Sequence, residues 1–189
     1  TLDREHIYRM SESINSASLR LHRLIENFLV YAQIELLEAD PARRAELSAL
    51  WVNQPGQLVH EIAQAKADAT GRGTDLWVEL AEDATIQIVM DDFRKILEEL
   101  VDNAFKFSAA GTPVHVKART NGGSYVVSIS NEGRGMTPDQ IANVGAGMQF
   151  ERRLHEQQGA GLGLVIAKRL TELHSGDFTI TSVPDETTT

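Results

Sequence analysis

The sequence predicts an α+β protein: a two-layer α/β sandwich preceded by one long amphipathic helix of a dimeric helical bundle. Three observations lead there. Apolar residues at Ile7, Met10, Ile14, Ala17, Leu21, Leu24, Phe28 and Tyr31 step alternately by three and four, the seam of a helix packed against another helix. After Arg44 the texture changes to short alternating strands and capped helices. Those helices and hairpins do not follow a regular βαβ order, which favours an α+β sandwich.

In chain order, the first helix spans roughly residues 4–39 and ends where Asp40 precedes Pro41. A lone helix cannot bury its stripe, and each seam side chain is worth roughly 1.5–3 kcal/mol when covered, so a second helix is expected beside it. "LSALWV" (48–53) reads as a strand. Residues 55–73 read as a helix with Pro at its start and glycines at its stop. Segments 75–80 and 86–90 alternate as strands, and Asp91 or Asp92 is placed to cap a helix running to about Phe107. Strands 112–120 and 124–130 form a hairpin around Asn121-Gly122-Gly123. A short helix covers 137–144, a flexible glycine-containing stretch 145–160, a helix 161–174 and a last strand 177–182. The expected division is 1–44 as part of a dimerisation unit, 45–183 as the sandwich domain, and 184–189 as a disordered tail.

Composition narrows the function. A net charge of −9 argues against nucleic-acid binding, which depends on Lys and Arg neutralising phosphates. The absence of cysteine excludes disulfides and thiolate metal sites. No apolar run approaches the roughly 20 residues that cross a bilayer, so no membrane contact is expected within 1–189 and a cytoplasmic location is the default. The chain opens on Thr1 rather than Met, which leads to the expectation of further sequence upstream.

Three segments carry the chemistry. In "LEELVDNAFKFS" (97–108), Glu99, Asn103 and Lys106 line one side of a helix. A solvated face would explain them too, through i,i+4 pairs of Lys95 with Glu99 and of Asp102 with Lys106. In "NEGRGM" (131–136), Gly133 and Gly135 let a turn approach a ligand closely. "GAGLGL" (159–164) opens a helix, where unpaired N–H groups and the helix dipole suit an anion such as phosphate. Each glycine segment alone is weak; neither completes a Rossmann nor a Walker pattern. Their fixed order after the Asn-bearing helix is far more specific.

That order resembles the ATP-binding catalytic domain of bacterial sensor histidine kinases, in the Bergerat-fold superfamily of gyrase, chaperone and mismatch-repair ATPases. "ELVDNAFKFS" resembles the N box, "NEGRGM" the G1 box, "MQFERR" (148–153) the F box and "GAGLGLVIAKRL" (159–170) the G2 box. The first helix resembles the second helix of the family's dimerisation and phosphoacceptor hairpin. The resemblance implies ATP and Mg²⁺ as ligands, with the side-chain oxygen of Asn103 on the metal. It implies Lys106 against the triphosphate charge and Phe107 near the ribose or base. It implies Gly133 and Gly135 in the adenine-side turn, Met136 on the base, and Gly159, Gly161, Leu162 and Gly163 in the lid over the phosphates. Phe150 would anchor that lid; Arg152 and Arg153 either reach the γ-phosphate or are surface charges. Glu99 occupies the position of a general base, as the catalytic candidate that polarises the attacking group or orients a water.

Two departures stand out. The G1 box normally opens with Asp, whose carboxylate accepts from the adenine amino group; here Asn131 stands, a neutral and weaker acceptor. None of the six histidines has the acceptor context of a following acidic residue and then Pro, so the phosphoacceptor is expected upstream of Thr1. The implied function is the histidine kinase core of a two-component system. It would transfer the γ-phosphate of ATP to a His and then to an Asp on a response-regulator receiver, and form a homodimer through the N-terminal helical hairpin. The alternatives are a degenerate non-catalytic nucleotide-binding dimerisation module and an anti-sigma-type serine kinase.

Overall fold

A computed structural model describes residues 3–47, 49–81, 84–145 and 162–189. Helix α1 is one unbroken element, Arg4–Glu38. Most of its predicted seam, including Ile14, Leu21 and Phe28, is exposed, and a different row does the packing. Ile34 is fully buried, with Val30 and Leu37 beside it, one to two turns apart on a single face. A short helix not foreseen from the sequence follows, α2 (Pro41–Leu47). The Asp40 carboxylate accepts from the Ala42 N–H at 3.1 Å, and Pro41 takes the first helical position, where its missing N–H costs nothing.

The predicted strands at 48–53 and 86–90 shrink to β1 (Val52–Asn53) and β3 (Thr85–Ile86), an antiparallel ribbon of two residues each. Between them lie α3 (Pro55–Ala69), a 3₁₀ turn (Gly73–Asp75) and β2 (Leu76–Leu80). Helix α3 stops four residues earlier than expected, and Gly71 at φ 66° supplies the left-handed turn that ends it. Helix α4 (Met90–Lys106) starts one residue before the aspartates expected to cap it. Val89 precedes it without a side-chain cap; Asp91 and Asp92 instead sit in the first turn, favoured there by the helix dipole.

The hairpin forms as β4 (Val114–Asn121) and β5 (Ser124–Glu132), turning on Gly122 and Gly123, both at positive φ. Helix α5 (Pro138–Ala142) carries a full capping box between Thr137 and Gln140, and α6 (Leu162–Leu173) follows. The principal sheet has the order β2-β4-β5-β6, with β2 and β4 parallel and the other pairs antiparallel. Registers Val78↔Val116 and Val116↔Ile129 put one apolar row on the inner face. Helices α3 and α4 cover that face, α6 packs on α4, and α1 packs on α6. The α4 residues Phe93, Ile96, Leu97, Val101, Ala104 and Phe105 supply the helical side of the core.

The C-terminal end departs most from expectation. No strand is formed at 177–182 as a unit, and the last residues pair back onto the sheet. Thr181 and Thr189 exchange both backbone hydrogen bonds, Val183 N–H donates to Thr187, and β6 (Thr187–Thr188) pairs with Asn131 and Glu132. Asp185 at φ 60° makes the turn. Three consecutive threonines, read as polar tail, are also good strand formers once a sheet edge is offered to them.

Candidate functional site

Helix α4 presents Glu99, Asn103 and Lys106 toward a cleft that Phe107, Asn131, Gly135, Met136, Leu162 and Gly163 also line. At one side of the cleft α4 and α6 approach closely. Gly163, in the first turn of α6, lies against the Glu99 carboxylate; a Cβ there would overlap Oε2 and come 3.7 Å from Asn103 Nδ2. Both carboxylate and amide therefore meet the N-terminal turn of α6, the end of a helix that offers unpaired N–H groups to an anion.

The second wall is a stitched turn. Ser108, just past α4, bridges to Gly133, just past β5, and Gly133 N–H donates to Glu186 at 2.8 Å. A Cβ on Gly133 would fall on the Phe107 carbonyl oxygen. At Gly135, φ is 64° and a Cβ would meet the Val183 carbonyl, so both positions require glycine. Ser182 Oγ accepts from Met136 N–H at 2.8 Å, and Asp185 N–H donates to the Arg134 carbonyl at 3.0 Å. The C-terminal hairpin thus holds the turn from behind. Asn131 is only 9% exposed and its side chain makes no hydrogen bond among the described residues. Among the described residues no side-chain polar atom is fully buried without a partner, so the Asn131 amide still reaches the solvent of the cleft, where a ligand could take up its hydrogen bonds. The Arg134 guanidinium lies 4.3 Å from the Phe107 ring centroid and the Lys106 ammonium 5.1 Å, so two cations flank one aromatic at the cleft.

Of the two ion pairs that a solvated face would have made, one forms. Lys95 Nζ meets Glu99 Oε1 at 2.5 Å. Asp102 turns instead to Lys66 at 3.3 Å and Arg23 at 3.5 Å. Gly159, Gly161, Phe150, Arg152 and Arg153 lie outside the described residues.

Sequence reasoning missed the residue that fixes the end of α4. Arg72, 8% exposed, donates from Nη1 to the carbonyls of Phe105 (2.9 Å) and Ser108 (3.2 Å) and to Ser108 Oγ (3.0 Å). Its Nη2 donates to the carbonyls of Ala109 (2.6 Å) and Thr112 (3.1 Å), and Nε to Asp75 Oδ2 (2.7 Å). The guanidinium satisfies carbonyls that the helix end leaves open. Arg72, and then the Gly111 N–H, hold the Asp75 carboxyl below the usual carboxylate range. An Arg between two glycines gives no sequence signal of burial.

Among the described residues no group of three His, Cys, Asp or Glu side chains is arranged to hold a metal. Where α4 meets α6, Asn103 and Glu99 offer side-chain oxygens. That donor set fits a hard cation that takes most of its ligands from water and phosphate rather than from the protein.

The sequence model of the family described as histidine kinase-, DNA gyrase B-, and HSP90-like ATPase matches residues 88–189. The chain belongs to that family. It is 29% identical over 180 residues to the sensor protein DivL of Caulobacter vibrioides, an alignment covering 91% of this chain and 21% of DivL. It is 29% identical over 191 residues to the sensor protein BasS of Salmonella typhimurium, covering 97% of this chain and 47% of BasS. The chain therefore spans from a fifth to about half of these relatives. Among solved structures it resembles the histidine kinase AdeS of Acinetobacter baumannii, with TM-score 0.67 at 14% identity, over 100% of this chain and 83% of that one. Full-length ShkA in complex with AMPPNP matches with TM-score 0.66 at 22% identity, over 100% and 38% of the two chains. At these identities the likeness concerns the fold.

Proposed function

We propose that this chain is the ATP-binding core of a sensor histidine kinase in a two-component system. The observation that carries the reading is the convergence of Glu99, Asn103 and Gly163 at one crossing of α4 and α6, on a cleft that the end of β5 also lines with Asn131. Phosphoryl transfer needs positioning and charge neutralisation more than covalent help from the protein. These residues divide that work. Asn131 reads the adenine edge, its carbonyl accepting from the amino group. Gly133 and Gly135 let the turn close on the base, with Met136 against it, while Phe107 packs near the ribose. Lys106 faces the triphosphate. The Asn103 side-chain oxygen is the one protein ligand to Mg²⁺, which when bound supplies charge neutralisation at the phosphates. Leu162 and Gly163, with Gly159 and Gly161 preceding them, cover the phosphates from the start of α6. Glu99 orients and polarises the attacking group.

The acceptor His, the response-regulator Asp that receives the phosphoryl group next, and a cytoplasmic setting complete the proposal. No helix among the described residues is long and apolar enough to cross a membrane. Homodimerisation through α1 is supported by apolar side chains exposed on it: Ile14 and Leu21 are 66% and 59% exposed along one stripe.

Calorimetry with ATP in the presence and absence of Mg²⁺ tests the reading. Binding should be exothermic and Mg²⁺-dependent, the metal dependence should vanish in Asn103→Ala, and Asn131→Asp should tighten adenine nucleotides. Absence of any nucleotide binding by the wild-type chain would refute it.

A further inference from the structure

Lys95 occupies a junction that neither the nucleotide motifs nor the core explains. It lies on α4 one turn before Glu99, and its side chain is 23% exposed. Its ammonium is shared between two acceptors: Glu99 Oε1 at 2.5 Å and Asn27 Oδ1 on α1 at 2.8 Å. The other oxygen of Glu99 rests against Gly163. The carboxylate is therefore held on one side by a cation that is itself held by the long helix, and on the other by the first turn of α6. The docking of α1 that makes this possible is independently anchored. Ile34 is buried in the core, and Arg169 on α6 binds Glu35 at 2.9 Å and Glu38 at 2.5 Å.

We propose that Lys95 is a positioning residue through which α1, by way of Asn27, sets the orientation of Glu99. This rests on the reading of Glu99 as the group that acts on the attacking nucleophile. With α1 docked as here, Asn27 and Glu99 pull the same ammonium into one place, and the carboxylate keeps one rotamer. When α1 shifts or turns, Asn27 leaves, Lys95 regains freedom, and Glu99 is no longer held toward Gly163. A long helix that changes its seating thereby reaches the reacting end of the nucleotide site without touching the nucleotide. A carboxylate displaced by about 1 Å from productive geometry loses rate on the order of a hundredfold at worst, while nucleotide affinity, set elsewhere in the cleft, is untouched.

The test separates positioning from folding and from binding. Nucleotide affinity and phosphate release from Mg·ATP are measured for the chain and for Lys95→Met, Lys95→Arg, Asn27→Ala, Glu99→Gln and the double variant Lys95→Met/Glu99→Gln. Lys95→Met should lower turnover about tenfold with affinity within about twofold of wild type, and Lys95→Arg should restore most of it. Asn27→Ala should lower turnover about threefold and also move the Glu99 side-chain carboxyl ¹³C resonance, although Asn27 does not touch Glu99. The double variant should lose no more than Glu99→Gln alone, because both changes remove one function. Multiplicative losses, or an Asn27→Ala chain whose turnover and Glu99 resonance match wild type, would overturn the proposal. So would a wild-type chain that binds Mg·ATP but whose turnover ignores Glu99→Gln. A wild-type chain that binds no nucleotide fails the functional reading itself, and the role of Lys95 falls with it.

Discussion

Replacing Arg72 by Met removes a buried hub while keeping much of its apolar stem. Six hydrogen bonds are lost: four to main-chain carbonyls, one to Ser108 Oγ and one to Asp75. A bond from a charged donor is worth about 1.5–3 kcal/mol net, but these are not additive, because most of the acceptors are only part-buried and recover water. The Phe105 carbonyl lies in the buried interior and has no such recourse. The guanidinium also stacks 5.2 Å from the Phe105 ring centroid, a contact Met does not reproduce. Removing one partner of a buried charged cluster costs roughly 3–5 kcal/mol, which is the magnitude expected here. At about 2–4 °C per kcal/mol for a chain of this size, the melting temperature should fall by roughly 6–20 °C. Circular dichroism melts at pH 7 are the assay. Arg72→Lys should recover little, since one ammonium cannot span carbonyls from Phe105 to Thr112. A fall below about 3 °C for Arg72→Met would refute the reasoning, and would mean that water caps the end of α4 as well as the guanidinium does.

Two further outcomes follow from single contacts. Gly163→Ala should split stability from activity: alanine improves a helix interior by up to about 1 kcal/mol. Its methyl, however, can be accommodated only by pushing the Glu99 carboxylate out of the place where Lys95 holds it. The melting temperature should hold or rise while phosphate release falls, and a variant with wild-type turnover would show that Glu99 has no fixed place. The Asp75 pair sets a pH dependence. Its carboxyl is held low in the folded chain, first by Arg72, so its contribution is present above the unfolded value of about 3.9 and is lost as pH falls through the lower folded value. Asp75→Asn should therefore melt below wild type at pH 7, and the gap should close as pH drops below about 4. A gap that stays constant to acid would exclude the ion pair as its source.

Much of the fold, and the placement of several candidate residues on one cleft, were legible in the residues. The hairpin announces itself in Asn121-Gly122-Gly123, α3 in Pro55 and its closing glycines, and the α4 face in the spacing of Glu99, Asn103 and Lys106. These signals are local. Positive φ, a missing N–H and a 3.6-residue period act within a few residues, so a short window contains all the physics. The same holds for the Lys95–Glu99 pair, one turn apart on one helix.

What the chain alone left open was partner choice between distant segments. Nothing near Asp102 says that it will prefer Lys66 and Arg23 to Lys106. The residues around Arg72 do not show that five acceptors from 105–112 will gather on it. Residues 184–189 read as polar tail until the end of β5 stands beside them. The row Val30, Ile34 and Leu37 is no more apolar than the stripe through Ile14, Leu21 and Phe28, yet only the first is covered. Periodicity establishes which residues share a face; which face is buried depends on where α6 lies once the core has closed. Hydrogen bonds and ion pairs reach only about 3–4 Å, so their pairing is settled by the packing that brings elements to that range, and by nothing earlier.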